Sequence, residues 1–333
     1  MTSYFHNRSQ YVSFQDTESV TMEQSIGVIQ GSRLGPLLFD IYSNDFNKLC
    51  SDDENILYAD DACLVYVGEN IEELVAHVNQ RLRIIDDWCN SNKLFLNRDK
   101  CEYMIVTNRA TLSTNDILIG NDKINEAKTF KYLGVHIDNN CKFQTHINTL
   151  KGKLSQLCGM TYRLRNRIDL KAAKKIYYAF AYSVISYCIA TWGGTLLCTH
   201  RADALFRLQK KIVSNLFSRF YPISEDIFKQ TEILKIQDIY RMKVALYMYK
   251  VIAHGEYPTL QNNLYLVHPQ HSYDTRSSAS LTLPFPRVEV IRMNFRYQFV
   301  NVWNTIPDEI KCLQTVKAFK RSLSNLYLNT YNI

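Results

Sequence analysis

Asn55-Ile56-Leu57-Tyr58-Ala59-Asp60-Asp61-Ala62-Cys63-Leu64-Val65-Tyr66-Val67 places two adjacent carboxylates between two apolar runs. Both runs are rich in β-branched and aromatic residues, which suit a pleated, half-buried surface, so the stretch reads as a hairpin with acids at its tip. Side by side, Asp60 and Asp61 repel each other. Such a pair is tolerated at a solvated turn. It is also tolerated where a divalent cation with oxygen preference binds it, as Mg²⁺ binds one or two carboxylates plus substrate phosphates. An ordinary polar turn is the plain alternative, because Asp is a common turn residue.

About 25 residues upstream stands Gln30-Gly31-Ser32-Arg33-Leu34-Gly35-Pro36-Leu37-Leu38-Phe39. Glycine permits close backbone approach, and proline early in a helix loses no hydrogen bond, so this is a tight loop feeding a helix N-terminus. A helix N-terminus favours anions. By itself the segment is a common loop-to-helix joint; with an acidic hairpin following it, it becomes a more specific pattern.

With 333 residues the chain is long enough for two or three cores. Its net charge of +7 is unevenly spread: residues 1–100 hold 16 acids and 8 bases, the remainder 16 acids and 31 bases. The first part is thus acidic and the rest basic, which suits a metal-binding site joined to a surface that holds a polyanion. A solvated basic helix face would give the same count. The nine cysteines contain no Cys-x-x-Cys pair, which reads as a reducing interior without structural zinc. Cys198 and His200 lack the further ligands of a tetrahedral site. The N-terminus lacks the apolar core of a signal peptide, so the expected location is intracellular, cytoplasmic or nuclear. The apolar stretch from Ile176 to Trp192 is interrupted by serines and tyrosines and reads as a buried helix, not a membrane span.

Near residue 140 the periodicity changes. Before it, strand-like runs at 11–14, 20–22, 94–96, 102–106, 117–119 and 130–137 alternate with helical patterns. One helix begins at Pro36. Another follows Asn70, where Glu73 completes a capping box and Ile71, Leu74, Val75, Val78, Leu82 and Ile85 share a face. This part is α+β with a mostly antiparallel sheet. From Phe143 apolar residues recur every three or four positions through Ile168, the mark of a long amphipathic helix. Further helices are expected near 202–217, 237–253, 292–302 and 316–327, with a loop-rich stretch between Pro258 and Pro286. The domains expected are 1–140, 141–258 and 259–333.

The run Gly27-Val28-Ile29-Gln30-Gly31-Ser32-Arg33-Leu34-Gly35-Pro36-Leu37-Leu38-Phe39 followed by Tyr58-Ala59-Asp60-Asp61 resembles the reverse transcriptases of non-LTR (LINE-type) retrotransposons. The likeness continues through Trp88, Asn92 to Asn97 and Lys100-Cys101-Glu102. Phe130-Lys131-Tyr132-Leu133-Gly134-Val135-His136-Ile137-Asp138 resembles the family's primer-grip hairpin, in which a Leu-Gly pair bends a strand toward the growing end. His271 to Arg276, Trp303 to Ile310 and Phe319-Lys320 resemble the C-terminal part of the same polyproteins.

The resemblance implies an α+β fold: a partial polymerase palm of antiparallel sheet and helices, a mostly helical thumb-like region, and a small C-terminal unit. It implies RNA-templated DNA synthesis by two-metal phosphoryl transfer, with Mg²⁺ (or Mn²⁺) as cofactor and deoxynucleoside triphosphates as substrates. An RNA template and a DNA primer would be the partners. Asp60 and Asp61 would hold metal. Gln30, Gly31 and Tyr58 would border template, nucleotide and primer end, although a buried strand tyrosine explains Tyr58 equally well. Lys100 would protonate or screen the pyrophosphate; a plain surface lysine is the alternative. Leu133 and Gly134 would form the primer grip. Lys151, Lys153, Arg163, Arg165, Arg167, Lys174 and Lys175 would contact phosphates without reading sequence.

The family pattern includes a third carboxylate, an Asp on a strand upstream of the glycine-rich loop. The opening Asn7-Arg8-Ser9-Gln10-Tyr11-Val12 resembles the stretch that follows that strand. The expectation is therefore a chain truncated at its N-terminus and inactive alone. The competing expectation is a non-catalytic nucleic-acid-binding remnant that uses the basic helical half. A hydrolase built on Asp60 and Asp61 would want a histidine or further acids beside them, and the sequence offers none.

Overall fold

The acidic stretch folds as a hairpin: Glu54–Tyr58 pairs antiparallel with Asp61–Val65, and Tyr58 faces Asp61 across the ladder. Ala59 and Asp60 alone therefore make the turn. The computed structural model in which this is seen describes residues 2–25, 27–49, 54–107, 116–198, 201–221, 226–258, 264, 281–283 and 294–331. His271 to Arg276 of the sequence comparison fall outside them. The chain divides into two compact units, Met1–Tyr103 with Asn108–Ala127, and Met104–Thr107 with Lys128–Ile333.

In the first unit the hairpin lies on the Ile71–Ser91 helix. That helix starts where Asn70 accepts a hydrogen bond from the Glu72 backbone N–H, and it buries Val75, Val78, Leu82, Ile85 and Cys89. Glu73 takes its bond from the Asn70 side-chain amide at 3.2 Å, a variant of the capping box expected from sequence. Leu57 and Leu64 of the hairpin pack with Phe46, Ile85 and Cys89, while Val75, Val78 and Leu82 meet Ile117, Ile119 and Ile124. Trp88 stands edge-on to Phe46 at 5.2 Å and donates to the Asp45 carboxylate at 3.3 Å.

The expected α+β fold with mostly antiparallel pairing is what the chain adopts, the sheet being in small pieces. Among the described residues the strands form six two-stranded ladders, and one of them, Glu102–Tyr103 with Asn125–Glu126, is parallel. Leu94 to Leu96 forms no strand. The Leu94 and Lys93 backbone N–H groups instead bond the carbonyls of Cys89 and Asn90, closing the preceding helix with Lys93 in the left-handed region at φ 55°.

The second unit opens with a hairpin, Thr129–Tyr132 against Val135–Asp138, turned by Leu133-Gly134. The Gln144–Leu164 helix follows, ending short of the Ile168 that the periodicity reaches; it buries Ile147, Leu150 and Leu154 of the predicted face together with His146, Cys158 and Thr161, while Leu157, Met160 and Leu164 are half-buried. Phe143 supplies no cap; the Asp138 carboxylate accepts from the Gln144 and Thr145 backbone N–H groups instead. The expected buried helix near 176–192 is half right. Tyr177, Ala181, Ile185, Ile189 and Trp192 are buried, whereas Tyr178, Phe180 and Tyr187 are about half exposed, and the chain turns at Tyr187–Cys188. Residues 177–182 form a π-helical turn.

At the centre runs the Ile236–His254 helix, with ten buried residues. The Phe295–Asn304 and Val316–Asn329 helices pack against it, Phe319 stacking on Tyr249 at 4.3 Å. Phe299, Trp303, Phe319, Leu323 and Tyr331 belong to the same core as Ile147 and Trp192. Most of 259–293 lies outside the described residues, so the loop-rich stretch expected there is not described. Among the described residues no helix is long and apolar enough to cross a membrane.

Candidate metal and nucleic-acid site

Alternation along the acidic hairpin sets which side chains reach solvent. Leu57 and Leu64 turn to the helix, while Ile56, Tyr58 and Asp61 are exposed, Tyr58 at 62%. A buried strand tyrosine is thus ruled out for Tyr58. At the turn Ala59 has φ 52°. A positive φ at the first turn position matches the twist of the strands, yet the residue that favours it is glycine. The strain on Ala59 is on the order of 1–2 kcal/mol. Asp60 and Asp61 are exposed and bonded to no other described side chain. Their oxygens suit Mg²⁺, a hard cation that takes one or two protein carboxylates with substrate phosphates. Among the described residues no group of three His, Cys, Asp or Glu side chains could hold a metal. The donor set therefore fits part of a metal centre.

The glycine-rich loop is a turn in which the Ser32 N–H donates to the Ile29 carbonyl at 3.2 Å, with Gly31 at φ 77°. That is the left-handed third position of a type II turn, and glycine belongs there. Ser32 Oγ accepts from the Gly35 N–H at 3.0 Å, and a Cβ on Gly35 would stand 3.0 Å from the same oxygen. So Gly31 is needed for its dihedral angle and Gly35 for space. Gln30 is exposed. Tyr4, which sequence reading passed over, ties the loop down: its hydroxyl shares a 2.7 Å hydrogen bond with Ser32 and accepts from the Ile29 N–H at 3.2 Å.

Lys100 ends a short 3₁₀ turn, Arg98–Lys100, and is exposed. The neighbouring Arg98 was also missed. Its guanidinium bridges Asp86 at 3.2 Å and Asp122 at 2.5 Å, with Gly120, at φ 59°, close beneath it. No motif marks these residues, because the partners lie 12 and 24 positions away.

In the second unit, Leu133 and Gly134 have φ of 45° and 83° and form the hairpin turn itself, not a bend within a strand. Both left-handed positions together make a type I′ turn. Asp138 closes the other end of the hairpin. Burial raises its pKa, but hydrogen bonds from Thr145, Gln144 and Thr129 outweigh that and hold the carboxyl below its ordinary value. His146 is buried beside it and is pushed down to about 4 by desolvation, with His136 and Lys153 adding to the effect.

Of the expected phosphate contacts, Lys153, Arg163, Arg165, Arg167 and Lys175 are exposed, and Lys151 and Lys174 partly so. None forms an ion pair with a described acid. Lys151, Lys153 and Arg163 ride on the Gln144–Leu164 helix, Arg165 and Arg167 follow it, and Lys174 and Lys175 close the Leu170–Ile176 helix. Seven described cysteines are free. Cys50 and His200 lie outside the described residues, and Cys198 is described by its backbone alone.

Residues 2–137 match the family described as reverse transcriptase (RNA-dependent DNA polymerase). The chain is 23% identical over 263 residues to the RNA-directed DNA polymerase from mobile element jockey of Drosophila melanogaster, covering 76% of this chain and 28% of that protein. It is 26% identical over 205 residues to the probable RNA-directed DNA polymerase from transposon BS of the same fly, 58% of this chain and 22% of that one. The Pol polyprotein of the type-1 retrotransposable element R1 2 of Nasonia vitripennis is 20% identical over 240 residues, 67% of this chain and 58% of the relative. The chain thus spans about a quarter of the length of its fly relatives. No solved structure matches it.

Proposed function

We propose, for a chain whose residues 2–137 belong to the reverse transcriptase family of non-LTR retrotransposons, that it takes part in RNA-templated DNA synthesis, with Asp60 and Asp61 as metal ligands. The observation that carries this reading is the two-residue turn that sets both carboxylates at an exposed hairpin tip. Mg²⁺, when bound, supplies charge neutralisation at the primer hydroxyl and the leaving pyrophosphate. The chain's own groups would do the rest. Asp60 and Asp61 would fix the cation. The Gln30-Gly31 turn, where a Cβ on Gly31 would meet nothing within 4 Å, would let template and incoming nucleotide approach the backbone. Lys100 would screen the pyrophosphate. Tyr58 would contact the primer end, which its exposure allows. Leu133-Gly134 would offer its backbone to the primer strand, and the basic residues from Lys151 to Lys175 would neutralise phosphates of the template–primer duplex.

Among the described residues no third acid joins Asp60 and Asp61. This favours a second reading, a nucleic-acid-binding module that relies on its basic helices. Primer extension on an RNA template with Mg²⁺ and deoxynucleoside triphosphates separates the two readings, together with binding measured across a salt series. Asp60→Ala should remove any synthesis, and Mg²⁺ should tighten hybrid binding by the wild type more than by Asp60→Ala. Binding that falls with salt and ignores both Mg²⁺ and Asp60→Ala would leave the binding module standing and retire the metal site.

A further inference from the structure

The Leu133-Gly134 turn is held from outside its own hairpin. Tyr187 donates its hydroxyl proton to the Leu133 carbonyl at 2.5 Å, and its ring lies 3.4 Å from where a Cβ on Gly134 would stand. Tyr187 is itself fixed. Its carbonyl accepts from Trp192 Nε1 at 2.9 Å, Trp192 is wholly buried, and the backbone changes direction at Tyr187 (ψ 119°) and Cys188 (φ 46°). The returning strand is pinned to the same support. The His136 N–H donates to His146 Nδ1 at 3.4 Å, and the His146 ring packs on Trp192 at 5.4 Å.

Leucine disfavours the left-handed backbone that a type I′ turn demands at its first position. Strain of this kind persists where surrounding structure over-determines it, and here the over-determining group is Tyr187. Yet Tyr187 is 50% exposed, so burial of its ring does not account for its place. Its hydroxyl donates to the Leu133 carbonyl, in the turn.

We infer that Tyr187 is a positioning residue: it holds the Leu133-Gly134 turn in the conformation that presents its backbone to the primer strand end. This rests on the reading of that hairpin as a primer contact given above. The test uses the full chain and an RNA–DNA hybrid in two forms, one with a recessed DNA 3′ end and one blunt, with affinity read by fluorescence anisotropy. The wild type should prefer the recessed end. Tyr187→Phe should weaken binding to the recessed end about fivefold, the worth of one neutral hydrogen bond, and leave blunt-end binding unchanged. Leu133→Gly, whose turn needs no outside support, should shrink that loss when combined with Tyr187→Phe. Equal weakening on both substrates, or the same loss in either background, would overturn the inference and leave the primer contact intact. A wild type indifferent to the recessed end would remove the primer contact itself, and the inference with it.

Discussion

Ala59 and His146 each hold an unfavourable state that the fold around them maintains. For Ala59 the state is a left-handed backbone at φ 52°, in a turn where glycine is the favoured residue. Ala59→Gly should stabilise the first unit by about 1 kcal/mol, the relief of strain less the extra freedom glycine brings to the unfolded chain. Thermal unfolding reads the change, and a lower midpoint would mean that Ala59 is not strained. For His146 the state is neutrality in a buried site, its pKa lowered to about 4. A folded-state pKa below the unfolded value near 6.5 means that the unfolded chain binds more protons between them. Stability is then full above about pH 6.5 and falls as pH drops toward 4, by on the order of 2 kcal/mol. Urea midpoints at pH 7 and pH 5 should show that fall, and His146→Gln should abolish it. Asp138, held low, adds its loss only below the ordinary carboxylate range. Tyr58 shows what sequence leaves open at this scale: its residue type suited both a buried strand and an exposed one, and only the pairing register decided between them.

The elements read best from sequence are those whose signal is periodic and local. The Ile71–Ser91 and Gln144–Leu164 helices bury residues of the faces that their spacing predicts, because a 3.6-residue repeat over five turns has few other solutions. Leu94 to Leu96 misled for a stated reason. Three apolar-rich residues suit a strand, but Lys93 adopts φ 55° and the next N–H closes the preceding helix on the Cys89 carbonyl. Glycine is the residue that usually ends a helix this way, and lysine gives no such signal. Lys93→Gly should raise stability by about 1 kcal/mol in chemical denaturation, while Lys93→Val, β-branched at a positive φ, should lower it. The candidate site was legible as motifs, Gln30-Gly31 and Asp60-Asp61. The side chains that hold the turns were not: Tyr4 holds the Gln30-Gly31 turn and, in the second unit, Tyr187 holds the Leu133-Gly134 turn, each acting on a partner 25 to 54 residues distant.

The two units differ in how they are held together. The second has one continuous core from Ile147 to Tyr331, whereas the first relies on two small apolar groups and leaves Val12, Phe14, Val20, Met22, Ile41, Val67 and Phe95 exposed. The second unit is also fastened near residue 331. Tyr331 donates to Asp238 at 2.6 Å and accepts from the Lys235 N–H at 2.9 Å, while Lys235 Nζ lies 4.1 Å over the Tyr331 ring and 2.7 Å from Asp226. Burial and the Asp238 carboxylate push the phenol far above its ordinary pKa, so it remains a donor at any physiological pH. Tyr331→Phe strands a buried carboxylate oxygen and a backbone N–H, and should lower stability by about 1–3 kcal/mol. That loss should appear in the second unit's transition alone, measured by denaturant unfolding.

The placement of the three tryptophans gives each unit its own optical reporter. Trp88 belongs to the first unit and sits beside the Asp45 carboxylate, while Trp192 and Trp303 lie in the dry core of the second. Replacing Trp88 by Phe would leave tryptophan emission, excited at the red edge where tyrosine does not absorb, that comes wholly from the second unit. Replacing Trp192 and Trp303 together would confine tryptophan emission to the unit carrying Asp60 and Asp61. Quenching or a wavelength shift of the Trp88 signal on adding Mg²⁺ or Mn²⁺ would then register ion binding in that unit directly, with no nucleotide, template or catalytic turnover in the cuvette.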